Sequence, residues 1–174
     1  MKKRSLYVLC SALMFVSPFC GCSNDSDSES EIDSGIQLRN FANSGCKPME
    51  TRSGDGQLPT VTEYIEYKGM DGGYLSLNHV NARFTCSSQL RIEASVSGSE
   101  ITILEYEYHP TEEYLSAKCD CPYDLYGEVG PLAAGKYTVI IRQGEKSQRE
   151  LSRFTIDYSK GLNGKSTIRE WPWP

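Results

Sequence analysis

Leu90, Ile92, Ala94 and Val96 alternate with Arg91, Glu93 and Ser95. A period of two is the signature of a strand with one face in a core and the other in water. Several segments share this texture. Val61 to Lys68 places Val61, Ile65 and Tyr67 on one face, and the run Gly69-Met70-Asp71-Gly72-Gly73 closes it with a turn. Tyr74 to Cys86 changes parity midway: Leu75 and Leu77 keep one phase, while Val80, Ala82, Phe84 and Cys86 keep the other. One strand can bury both sets on one face only through a bulge, which the pattern puts near Asn78-His79. After the turn Ser97-Gly98-Ser99, strands are predicted for Glu100 to Tyr108, for Pro122 to Val129 (weakened by Gly127), and around Tyr137, Val139 and Ile141. The last is led by Phe154, Ile156 and Tyr158. A longer connection, His109 to Cys121, holds Thr111 to Lys118, the nearest approach to a helix.

About seven short strands separated by turn signals predict an all-β fold, a single antiparallel sandwich of the immunoglobulin-like class over residues 60–160. The segment Gly130-Pro131-Leu132-Ala133-Ala134-Gly135-Lys136-Tyr137-Thr138-Val139 resembles the Leu-x-x-Gly-x-Tyr-x-Val stretch of many such sandwiches. That resemblance implies a tyrosine at the sheet corner whose hydroxyl bonds to nearby backbone.

The N-terminus reads differently. Lys2, Lys3 and Arg4 precede an apolar run from Leu6 to Phe19, too short to span a bilayer. Gly21-Cys22 then resembles the end of a bacterial lipobox, with Phe19 and Cys20 departing from its usual residues. The resemblance implies a signal peptide over 1–21 and a lipid on the sulfur of Cys22. Ser23 to Glu31 is acidic and serine-rich with no aromatic residue, and residues 22–59 as a whole read as a flexible linker. The acidic run is similar to those that follow the lipidated cysteine in surface lipoproteins of the Bacteroidetes. The segments His79-Val80-Asn81, Phe84-Thr85-Cys86 and Cys119-Asp120-Cys121-Pro122-Tyr123-Asp124-Leu125 resemble small lipoproteins of that group, some described loosely as NigD-like. What this implies is a place, the outer membrane, facing the periplasm or the surface. It implies no mechanism.

Composition narrows the classes. The chain has 174 residues, and the signal takes three of its 18 basic residues and none of its 23 acidic ones, leaving a mature charge of −8. Nucleic-acid binding wants a basic patch that this chain lacks, and the membrane is to be held through the lipid alone. Of seven cysteines, Cys46, Cys86, Cys119 and Cys121 remain after Cys10, Cys20 and Cys22 are set aside. Four in an exported chain suggest two disulfides. Cys119 and Cys121 stand too close to pair with each other, so each is expected to reach one of Cys46 and Cys86.

Candidate chemistry is sparse. His79, Cys86, His109, Cys119 and Cys121 have the softness for zinc or copper(I), but show no Cys-x₂-Cys or His-x₃-His spacing. No Gly-x-Ser-x-Gly elbow is present. Glu105, Glu107, Glu112, Glu113, Asp120 and Asp124 read as a solvated acidic face rather than a catalytic pair. Tyr106 and Tyr108, alternating with Glu105 and Glu107, are either core or an aromatic platform for a sugar or a protein. Trp171 and Trp173 lie in an extended, proline-rich tail over 161–174, read as covering its own domain. The expectation is a non-enzymatic, cofactor-free envelope module with a protein or glycan partner; metal handling is the second reading.

Overall fold

A chain with so many alternating segments has to stack two sheets to bury their apolar faces. The computed structural model, which describes residues 35–48, 59–86, 88–108 and 119–172, does this with nine strands. They are β1 (Gln37–Asn43), β2 (Thr60–Gly69), β3 (Leu75–Thr85), β4 (Gln89–Ser97), β5 (Glu100–Tyr108), β6 (Asp120–Gly130), β7 (Gly135–Gln143), β8 (Arg149–Tyr158) and β9 (Asn163–Pro172). One sheet has the order β1-β6-β3-β2-β9, the other β4-β5-β7-β8.

The all-β sandwich predicted from the alternation is the fold, with two differences. There are nine strands rather than about seven, because residues read as linker and tail contribute β1 and β9. And β5 runs parallel to β7. Between those two the chain crosses to the other sheet as β6 and returns, and such a crossover allows a parallel pair where a hairpin would not. β1 escapes the pattern because its residues are nearly all exposed; it is held to β6 by backbone pairing. β9 pairs antiparallel with β2 over almost its whole length.

The main core lies between the sheets. Ile65, Leu75, Leu77 and Val129 meet Ile101, Ile103, Val139, Ile141 and Ile156. Ala82, Phe84, Tyr123 and Leu125 form a second cluster with Leu90, the Phe84 and Tyr123 rings meeting edge to face at 6.2 Å. Gly127, a weak strand former, has a packing reason: a Cβ there would come 2.9 Å from Leu38 Cδ1, so its absence lets β1 lie close. Tyr137 sits at the sheet corner and its hydroxyl donates to Ala133 O at 3.1 Å.

Two disulfides border the second cluster. Cys46 pairs with Cys121 and Cys86 with Cys119, so each of the closely spaced cysteines reaches a separate partner. The first ties the segment after β1 to β6. The second joins the end of β3 to the start of β6, where Cys86 N–H also donates to Cys119 O at 2.8 Å. Cys22 with the segments read as signal and acidic run, His109, the Thr111–Lys118 segment and Trp173 lie outside the described residues.

Candidate functional site

The parity change in β3 is where the polar interior begins. Its register with β6 shifts between His79 and Ala82, and Asn81 takes a left-handed φ of 59°. Asparagine tolerates that region better than most residues. Here it is also held: Asn81 N–H donates to Asp124 Oδ1 at 3.0 Å, its Nδ2 to Thr62 O at 2.9 Å, and Lys47 Nζ donates to its Oδ1 at 2.7 Å. The bulge therefore falls just after His79. His79 keeps the inward phase of Leu75 and Leu77, and the strand then resets so that Ala82 and Phe84 point inward again.

His79 is buried between the sheets with a carboxylate at each ring nitrogen. Nδ1 lies 2.7 Å from Glu105 Oε2, on β5 of the opposite sheet. Nε2 lies 3.1 Å from Glu63 Oε1, on neighbouring β2. Glu63 and Glu105 are as inaccessible as the histidine. Glu63 accepts a further bond on its other oxygen from Arg169 Nε, on β9, at 2.6 Å. Glu63 and Arg169 face each other in register, and that register shifts immediately afterwards, so a second irregularity flanks the network. Four residues from four strands thus form one line, Glu105–His79–Glu63–Arg169, crossing the sandwich beside the main core.

Burial alone would push His79 toward its neutral form. The charge and hydrogen bond of Glu105, followed by those of Glu63, outweigh it and hold the imidazole up at about 9. Burial would likewise raise Glu63, but the bonds from His79 and Arg169 hold its carboxyl below the usual range. The ring is then an imidazolium that donates from both nitrogens, and two cations balance two anions. A buried imidazolium with both N–H groups engaged has no lone pair for base chemistry. The line's chemistry is positional.

What it positions is Arg169, whose side chain is 33% exposed. Arg169 lines a surface cleft of about 530 Å³ together with Arg83, Thr85, Gln143, Lys146 and Arg149. Arg83 is held by Asp120, with Nε at 2.9 Å and Nη2 at 2.5 Å from one carboxylate oxygen, and its guanidinium lies 5.3 Å from the Trp171 ring. Gln143 Nε2 donates to Arg83 O at 2.8 Å, which fastens the end of β7 to β3 across the cleft. Arg149 Nη2 reaches Gln143 Oε1 at 3.4 Å.

The residues singled out by sequence fall in several places. Tyr106 is buried and donates to Glu93 Oε1 at 2.5 Å. Tyr108 is exposed, with the Arg91 guanidinium 4.0 Å above its ring. Trp171 is buried against Val61. Glu105 corrects an expectation: it belongs to no solvated face, because its strand carries it inward in phase with Ile101 and Ile103. The sulfurs of Cys46, Cys86 and Cys121 lie within 4.8 Å of one another, while His79 is engaged elsewhere by two carboxylates. Of the metal set drawn from sequence, Cys86, Cys119 and Cys121 lie together but in disulfides, His79 stands apart from them, and His109 is outside the described residues. Glu63 and Arg169 were not legible as site residues, although a glutamate in phase with Val61 and Ile65 is a charged residue at an apolar position.

Fold and site define a disulfide-bonded two-sheet sandwich with a charge-balanced line through its interior and a polar cleft at the end of that line. No protein-family model, curated protein or solved structure matches the chain.

Proposed function

We propose that the chain is a lipid-anchored protein of the bacterial outer membrane that binds or scaffolds a glycan or protein partner without catalysing a reaction. The observation that carries the reading is the cleft, two of whose arginines are fixed in place rather than free. Arg83 is clamped by Asp120, and Arg169 is clamped by a carboxylate that is itself locked from within. Pre-fixed donors reduce the ordering cost of binding. The absence of a free base on His79 argues against assigning the buried line to catalysis. The anchor is supported by Gly21-Cys22 and the basic and apolar segments before it.

Two measurements test the reading. Mass spectrometry of the N-terminal peptide from membranes is expected to show a diacylglyceryl group on Cys22; an unmodified, secreted chain refutes the anchor. The purified mature chain, run on a glycan array and in a cross-linking pull-down, is expected to retain a partner that Arg149→Ala loses. Retention of nothing in either format refutes the binding role. A metal-handling role draws on the close Cys46, Cys86 and Cys121 sulfurs alone. Non-reduced peptide mapping decides it, since two intact bridges leave no thiolate to offer.

A further inference from the structure

Arg169 uses its Nε–H on Glu63 and leaves its two terminal nitrogens without a hydrogen bond among the described residues. A guanidinium is planar, so fixing one edge fixes the direction of the remaining donors. The fixation runs deep: Arg169 is held by Glu63, Glu63 by His79, and His79 by Glu105, the last three all buried. An arginine fork held open at a cleft wall is the geometry that carboxylates accept in two parallel bonds. Lys146 and Arg149 line the same cleft, as does Glu145, and Arg149 has one long bond to Gln143.

The same cleft also carries groups suited to hydroxyls. Gln143 lines it, and so do the Asp120 and Glu107 carboxylates. Asp120 receives Arg83 on one oxygen and has acceptor sites on the other, while Glu107 is engaged, accepting from Thr85 N–H at 2.7 Å. A bare anion would have no use for these acceptors, and a neutral sugar would have none for the fork. A ligand with one carboxylate and several hydroxyls uses both. The scale agrees: about 530 Å³ falls within the ~300–1,000 Å³ of small-ligand sites, whereas a protein partner wants roughly 800 Å² of surface.

We infer that the cleft binds a uronic-acid residue of an acidic saccharide, its carboxylate on Arg169 with help from Arg149 and Lys146, and its hydroxyls on Gln143 and the Asp120 carboxylate. The inference rests on the proposed binding role and narrows it to one ligand chemistry.

The test is calorimetry on the mature, disulfide-bonded chain with galacturonate, glucuronate and mannuronate oligosaccharides, each beside its methyl ester. At least one free acid is expected to bind, and its ester at least tenfold more weakly. Arg149→Ala and Lys146→Glu touch no buried group and are expected to weaken binding about fivefold or more with an unchanged melting temperature. Arg169→Lys keeps the charge but loses the fork, and is expected to cost about tenfold; if it fails to fold, the two surface variants still decide. Equal binding of acid and ester overturns the carboxylate assignment and leaves a glycan cleft. Tighter binding of a sulfated oligosaccharide lacking uronate does the same. Binding by none of the acids, together with capture of an acidic protein in the pull-down, overturns the inference and leaves the wider binding role. Binding by none and capture of nothing removes both.

Discussion

The interior of this sandwich has two ends that obey different rules. At one, Leu75, Ile101, Val139 and Ile141 exclude water and need nothing from one another but contact. At the other, Glu105, His79 and Glu63 are as deeply buried, yet each depends on the next for its charge to be tolerable. Apolar packing degrades gradually, and volume-conserving swaps typically cost under ~1.5 kcal/mol. A buried ionic line is all or nothing, because removing one member strands another. The apolar end accounts for cohesion between the sheets. The polar end accounts for register, since Glu63 and His79 stand beside the two bulges that aim them.

The largest effect should come from breaking the line in its middle. His79→Leu leaves Glu105 with no partner in the dry interior, a type of lesion worth about 3–5 kcal/mol. Leu75→Met at the apolar end should stay under ~1.5 kcal/mol. Urea unfolding of the two variants makes the comparison. The sharper version replaces Glu63, His79 and Glu105 together by Met, Leu and Met, and should recover most of what His79→Leu loses. If the triple variant is as unstable as the single one, the network contributes by shape rather than by charge balance.

Much of the apolar end was legible in the sequence, and little of the polar end. Alternation at Leu90–Val96 and at Ile101–Ile103 is a direct record of which face meets the core. The parity change in β3 likewise recorded a bulge, misplaced by about two residues because His79 was counted as the irregularity instead of as the last inward residue before it. Glu63 and Glu105 sit at inward positions, but a lone glutamate in a strand is ordinarily solvated, and its partners come from other strands. Only the pairing of β2 with β9, and the stacking of β3 on β5, brings the four together. The same holds for β9 itself: Thr167, Ile168 and Arg169 read as a tail until β2 supplies the ladder.

A second difference between the two ends is sensitivity to pH. The apolar end titrates nothing. His79 is raised from 6.5 to about 9 in the folded chain, so its contribution to stability is complete below about 6.5 and is lost as pH rises through about 9. Glu63 is lowered from 4.5, so its contribution is present above that value and is lost as pH falls further. Stability should therefore be greatest between about 4.5 and 6.5 and decline toward 9. Urea midpoints at pH 6 and pH 9 measure the decline. The triple apolar variant should show a much shallower one; an identical slope in both chains would assign it to other groups.

The smallest effect marks what a charge pair does without burial. Lys160 and Asp71 approach within 2.6 Å, shorter than the 3.1 Å between His79 and Glu63, yet both are over four-fifths exposed. Distance alone would rank the surface pair higher. Water and salt screen it, and two long side chains lose freedom to hold it, so such pairs contribute little. Lys160→Ala should leave the melting temperature unchanged within error, at low salt and at high salt alike. A salt-dependent drop comparable to that of a buried variant would mean the turn between β8 and β9 is held by this pair. Backbone bonds hold it in the structure, from Gly69 N–H to Leu162 O at 2.9 Å and from Leu162 N–H to Ser159 O at 3.0 Å, and Lys160→Ala leaves both in place.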